Sequence, residues 1–404
     1  MTDAARFRDN ANRTDRGRGG PLFALIVFPL GHLANDWPGA ALWLLAPAIA
    51  LSLDLSTAEV GLLITLHGAG ASLGYLPAGI VGDRVRNRGA LLAVTFWWVA
   101  AGYFAASFFT DFWTLALLLA FAGLGDAAWH PIAAAAMVEQ TPNRRARAIG
   151  VHAFGGILAE VGAPLCAGIL LAYLDWQTVL RLSVIPAATM AVLFIWLSAR
   201  VSSPARPKAS HGELRSLMRS WLEPASLVLI AIISLYNMSL MGALAMMPLF
   251  LQRVHDYTSA GAGAMLAAAY LLGALSQPAF GHASDVLGRK GVSIGTLVAA
   301  ALLFVGVTHL NDAVWSGVTL ATAIGLLTGI RSVLLAAMLD RAGRRESTTL
   351  GFGFSIMDGV GALGALFAGM AGAVDMHHAF LFTAGAAAAA TGLAWRHAFA
   401  ADHS

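Results

Sequence analysis

Twelve apolar runs, about 18 to 29 residues long, divide this chain, and each is long enough to cross the hydrocarbon core of a bilayer as a helix, which takes roughly 20 residues. They fall at about 22–50, 58–81, 90–109, 112–138, 148–173, 177–199, 224–252, 259–282, 291–308, 313–338, 348–373 and 377–397. Apolar residues make up 58% and charged residues 12% of the 404 positions. A water-soluble protein has too few polar groups at that ratio to cover its surface. The sequence therefore predicts an all-α polytopic membrane protein and excludes soluble enzymes and nucleic-acid binders. The single cysteine, Cys166, excludes an intrachain disulfide and a thiolate metal cluster.

Charge sets the expected orientation. Counted along alternate loops and the two ends, 22 of the 25 Lys and Arg residues fall on one side, and loops that stay in the cytoplasm keep such an excess. Both termini are expected on that side. The first twenty residues are Arg-rich with no apolar run, as in a cytoplasmic tail and unlike a signal peptide. The longest internal polar stretch, 200–222, divides the spans six and six. The expected organisation is a tail over 1–20, a six-helix bundle over 21–199, a cytoplasmic linker over 200–222 and a second bundle with a short tail over 223–404.

The halves repeat at an offset of about 202 residues. Gly79 to Arg84 aligns with Gly281 to Val286, Pro77 with Pro278, Asn35 with Asn237, and Ala136 to Glu139 with Ala337 to Asp340. Two related bundles with a site between them near mid-membrane are the plan of a carrier built from repeats.

The loop Gly79–Arg88 and its partner Gly281–Lys290 resemble the signature loop G-x-L-A-D-R-x-G-R-K of the major facilitator superfamily. The second copy keeps Gly281, Asp285, Gly288, Arg289 and Lys290; the first keeps Gly79, Asp83, Arg84 and Arg88, with Arg86 in place of glycine. The resemblance implies two pseudo-symmetric six-helix bundles of the major facilitator fold. It also implies a conformational gate at Gly79, Asp83, Arg84, Gly281, Asp285 and Arg289, in which Asp83 caps the eleventh helix near Ser347. His32-Leu-Ala-Asn35-Asp36 in the first span, Gly123 to Pro131 in the fourth and the basic turn Arg144-Arg145 narrow the likeness to the fosmidomycin-resistance group of bacterial drug exporters. The fifth span resembles an antiporter motif at Gly150, Pro164 and Gly168, with Ala159, Ala163 and Ala167 replacing glycines.

Ionisable groups inside spans are costly and mark candidate sites. His32, Asn35 and Asp36 share one helical face by their i, i+3, i+4 spacing, as do Asp126 and His130. Asp36, His130 and Glu160 are the expected proton-coupling groups. His32, Asn35, Asp126, Asn237, Arg331 and Asp358 are the expected substrate contacts, with Arg331 suited to clamp an anion in bidentate fashion. Structural ion pairing or interhelical hydrogen bonding is the alternative role for each. His130 and Arg331 align through the repeat and are expected at equal depth, facing a central cavity.

The reading that results is a secondary transporter in a bacterial inner membrane, not an enzyme, working as a monomer on a small molecule, with protons and lipid as its other partners. It needs no cofactor beyond the proton gradient and no metal, because the histidines look scattered over the helices. Proton-coupled export of a drug-like or anionic compound comes first, and proton-coupled uptake of an organic anion or sugar derivative second. No G-x-x-x-x-G-K-[ST] signature for ATP and no H-E-x-x-H cluster occurs.

Overall fold

The computed structural model describes residues 20–85, 87–141, 145–201, 219, 221–340 and 346–396. Most of the expected linker and nearly all of the expected N-terminal tail lie outside them. Among the described residues thirteen α-helices follow one another: α1 Pro21–Ser52, α2 Thr57–Arg84, α3 Arg88–Ala106, α4 Phe112–Gln140, α5 Arg145–Leu170, α6 Trp176–Ser183, α7 Ile185–Leu197, α8 Pro224–Val254, α9 Ser259–Leu287, α10 Arg289–Val307, α11 Ala313–Leu339, α12 Glu346–Val374 and α13 Met376–Arg396.

The twelve expected spans correspond to these helices, with one difference. The sixth is broken into α6 and α7 at Val184, because Pro186 has no N–H to continue the ladder and starts the second piece instead. Ten helical segments are long and apolar enough to cross a membrane. Those ten leave out α1, whose middle carries His32, Asn35 and Asp36, and α13, which opens on two histidines. The first helix thus carries a polar face where a lipid-facing span would be apolar, and that face needs protein around it.

Local signals explain where the helices start. On the face opposite the basic loops, Ser56 and Glu59 form a reciprocal capping box for α2. Asp111 caps α4 by accepting the Thr114 N–H, and Asp175 and Asp312 do the same for α6 and α11. These caps satisfy N–H groups that the first turn leaves unpaired. Their acids lie away from the basic loops, which sharpens the charge asymmetry. Gly288 ends α9 with φ of 84°, a left-handed conformation that favours glycine.

The halves meet along α2 against α12 and α5 against α9. On α2 the contacts run from the face opposite the basic loops to mid-membrane. The Thr57 hydroxyl donates to the Gly369 carbonyl (2.8 Å) and that of Thr65 to the Ala362 carbonyl (2.7 Å). Gly61 sits so close to α12 that an added Cβ would lie 2.3 Å from the Ala365 carbonyl oxygen. On α5 the antiporter-like positions do similar work: Cβ atoms at Gly168 and Gly263 would each lie 2.6 Å from a carbonyl oxygen of the facing helix, Ser259 and Pro164 respectively. Toward the basic loops, Cβ atoms built at Gly150 and Gly281 would meet nothing within 4 Å. Among the described residues, the bundles are thus closed against each other on one face and apart on the other.

Candidate functional site

The polar face of α1 is answered by α4 and α5. His32 Nδ1 donates to the His152 carbonyl (2.9 Å), which turns Nε2 toward Asp36 Oδ2 at 3.1 Å. The His32 ring stacks on His152 with centroids 4.4 Å apart and lies 5.4 Å from Trp129. Trp129 is fully buried and backed by Phe96. Gly156 makes room for this ring, since a Cβ there would come within 2.8 Å of it. His32 is therefore held in one orientation by three neighbours.

From α4, His130 brings Nε2 to 3.6 Å from Asp36 Oδ1 and 3.9 Å from Asp126 Oδ1. Asn35, fully buried, ties the two acids together: its amide donates to Asp36 Oδ1 (3.1 Å), to the Asp126 carbonyl (3.2 Å) and to the Asp126 carboxylate. Asp36 and His130 keep 21% and 24% of their side-chain surface exposed. The geometry has one chemical consequence. With Nδ1 donating to a carbonyl, a neutral His32 would aim its Nε2 lone pair at a carboxylate oxygen 3.1 Å away. Something positive has to lie between the two atoms, and in water a proton serves.

Other residues extend the cluster across the interface. Tyr75 on α2 lies with its ring centroid 6.0 Å from that of His130, and its hydroxyl donates to Asp358 Oδ2 on α12 at 2.5 Å. Glu160 and Asp358 act electrostatically on Arg331 of α11, and Tyr236, whose hydroxyl donates to the Leu327 carbonyl (2.9 Å), lies near it. Glu160 on α5 in turn feels Arg331, Asp36 and His32. The ionisable groups thus form a ring through both halves, joined by side-chain contacts from His32 through Asp36, His130 and Tyr75 to Asp358 and completed only by longer-range electrostatic attraction through Arg331 and Glu160. Arg331 Nε is buried without a hydrogen-bond partner among the described residues, and a donor left so costs about 1–3 kcal/mol until an acceptor reaches it.

Asn237 is placed differently from its repeat partner Asn35. It is fully buried, donates to the Met357 carbonyl and so fastens α8 to α12. His130 and Arg331 belong to different arcs of the ring, His130 with Asp36 and Tyr75, Arg331 with Tyr236 and Glu160. The histidines expected to be scattered converge instead: His32, His130 and His152 lie ring to ring.

Among the gate residues, Arg289 makes two contacts with Asp340, at 2.5 and 3.3 Å, and lies 3.6 Å from Asp285. Its repeat equivalent Arg88 is 1% exposed, pairs with Glu139 at 2.7 Å and donates to the Gly82 carbonyl (2.9 Å). Each half thus ties the start of its third helix to the end of its fourth. Arg84 ends α2 exposed, and Gly79 faces Pro131. The expected contact of Asp83 with the region of Ser347 lies outside the described side chains.

The sequence reading passed over Tyr75. Its signal was a hydroxyl in an otherwise apolar stretch four residues before Gly79, which periodicity alone does not separate from a core tyrosine.

The family model described as Major Facilitator Superfamily matches residues 30–365. The chain is 26% identical over 337 residues, 79% of its length and 76% of the relative's, to a "Probable 4-methylmuconolactone transporter" of Cupriavidus pinatubonensis (strain JMP 134 / LMG 1197). It is 28% identical over 198 residues, 48% of its length and 49% of the relative's, to a "Probable sugar efflux transporter" of Helicobacter acinonychis (strain Sheeba). Among solved structures, it superposes with TM-score 0.77 at 16% identity on a bacterial homologue of the human lysosomal transporter Spinster in an inward-facing, unoccupied conformation, over 93% of this chain and 95% of that one.

Proposed function

The chain belongs to the major facilitator superfamily of transporters, and from that premise we propose that it exports a small organic anion in exchange for protons by alternating access. The observation that carries this reading is the ring of ionisable groups shared by the two halves at mid-membrane. An anion reaching Arg331 would supply the acceptor its buried Nε lacks and compete with Glu160 and Asp358 for the guanidinium. Protons enter at Asp36, His32 and His130, where a positive charge has to lie between two acceptor atoms, His32 Nε2 and Asp36 Oδ2, and at Glu160 near Arg331. Neutralising Glu160 leaves the Arg331 charge to the substrate; expelling the substrate returns Arg331 to the field of the ionised acid. Tyr75, bonded to Asp358 across the interface, links this exchange to the movement of α2 against α12.

The likeness of the first half to the fosmidomycin-resistance group and the relatives named for a muconolactone and for sugar efflux favour a small, oxygen-rich cargo. In this reading the protein is a monomer in a bacterial cytoplasmic membrane, both termini inside, with the halves opening to the cytoplasm and the mid-membrane site between the bundles over 21–199 and 223–404. Proton-coupled uptake is the second reading, since the same ring serves either direction.

Inverted vesicles with an acidified lumen test it. Addition of a transported anion is expected to make protons leave the lumen in the wild type and not with Asp36→Asn. If no member of a broad anionic panel moves protons, export fails, and right-side-out vesicles then test uptake.

A further inference from the structure

Three imidazole and carboxylate groups at the heart of the N-terminal half meet the geometric demands of a metal centre. His32, Asp36 and His130 each offer one ligand atom, and the three atoms lie within 4.8 Å of one another. The nitrogens lie one against each carboxylate oxygen, 3.1 Å from His32 Nε2 to Asp36 Oδ2 and 3.6 Å from His130 Nε2 to Asp36 Oδ1, both near the ~3.4 Å that separates ligand atoms in a tetrahedron with bonds of about 2.1 Å. A turn of the carboxylate and of the His130 imidazole brings one oxygen and both nitrogens to a common centre.

The surroundings are those of a prepared site. A metal-binding histidine commonly donates its other ring N–H to a carbonyl, which fixes the tautomer and aims the free lone pair; His32 does so to the His152 carbonyl at 2.9 Å. Its ring is held by His152 and Trp129, and Asp36 is held by the Asn35 amide. A divalent ion supplies the positive charge that the His32–Asp36 contact calls for. Two imidazoles and one carboxylate without sulfur suit zinc, cobalt or nickel, whereas magnesium and calcium prefer oxygen alone. The exposure of Asp36 and His130 leaves a way in and one coordination position open, with Asp126 Oδ1 3.9 Å from His130 Nε2 as the nearest further acid.

We propose that His32, Asp36 and His130 form a binding site for a divalent transition-metal ion of the zinc class, with three protein ligands and one position open between the two halves. The ion competes with protons for the same donor atoms, and by joining α1 to α4 it slows exchange. The proposal goes beyond the transport reading and does not depend on it, because binding is measured with no gradient and no substrate.

The test uses tag-free, full-length protein stripped of metal and titrated with Co2+ and Zn2+. One Co2+ per chain is expected, with the intense visible absorption of a four-coordinate nitrogen and oxygen site, displaced by Zn2+ and not by Mg2+. His130→Gln and Asp36→Asn are each expected to weaken binding at least about 100-fold. His377→Gln, which alters the exposed pair with Asp375, is expected to leave it unchanged. X-ray absorption at the zinc edge of the wild type should show two imidazoles in the first shell, a readout that stands even if a variant fails to fold. Absence of stoichiometric Co2+ binding, loss with His377→Gln instead of His130→Gln, or fewer than two imidazoles around zinc overturns the site. A protein that binds no metal but still exchanges protons for substrate loses this inference alone; one that binds metal but moves no protons loses the transport reading alone.

Discussion

Tyr75 shows how much one hydroxyl carries where two halves meet. Its bond to Asp358 joins α2 to α12, while its ring faces His130. Tyr75→Phe keeps the ring and removes the donor to a charged acceptor, a change of about 1.5–3 kcal/mol. Transport in vesicles is expected to slow roughly ten-fold or more with protein yield unchanged. An unaltered rate would place the bond outside the transport cycle. The same scale shows what could be read before any coordinates. The i, i+4 pairs His32–Asp36 and Asp126–His130 were legible because helical spacing puts such residues on one face. The partner across helices was not. The repeat set His130 and Arg331 at matching positions, but equivalence through a repeat says nothing of which neighbour a side chain turns to.

Elements repeat that division. Spans were legible because apolar length is a one-dimensional property, and the break of the sixth span was marked only by Pro186, which a span search reads through. Asp175 caps α6, the short piece on the face opposite the basic loops, and the Thr178 N–H and hydroxyl beside it hold its carboxyl below the usual carboxylate range. A carboxylate whose folded value is lowered stabilises above its unfolded value, near 3.9, and loses that contribution as pH falls through the folded value. Asp175→Ala is therefore expected to lower Tm at pH 7, with the gap to wild type closing in acid. A gap that persists there would mean that the charge is not what the cap contributes. Between elements, Gly61 allows α2 to lie on α12. Gly61→Val would place a Cβ against the Ala365 carbonyl oxygen, backbone that cannot yield. In a Cys166→Ser background, a Ser72→Cys probe is expected to label faster from the face opposite the basic loops when Gly61→Val is present. Equal labelling would show that the packing tolerates the branch.

At the scale of the whole molecule, the repeat appears as matched ion pairs, Arg88 with Glu139 and Arg289 with Asp340, but the two are not equally buried. Arg88 is 1% exposed and Arg289 15%, while their acids Glu139 and Asp340 keep 22% and 29% of their side-chain surface. Removing Arg88 strands a carboxylate oxygen that is itself shut from solvent, a loss that the wetter Arg289–Asp340 pair softens by hydration. Arg88→Met is expected to lower the melting temperature in detergent well beyond Arg289→Met; equal losses would mean that the two sites are equally wet.

The closed face of the molecule is fastened mainly by glycines, carbonyls and two threonine hydroxyls, groups that carry no net charge, with the Arg253 guanidinium donating to the Leu55 carbonyl at 3.5 Å as a charged contact beside them. The open face belongs to the side with most of the arginines, and shutting it would crowd like charges together. Dissolved ions screen such repulsion within about 10 Å at 0.1 M and have little hold on van der Waals contacts. Ionic strength thus acts on one latch and not on the other. Raising the salt concentration should tilt the resting population toward the conformer shut on its arginine-rich side, so that the cell's electrolyte content itself becomes a bias on which way the molecule waits.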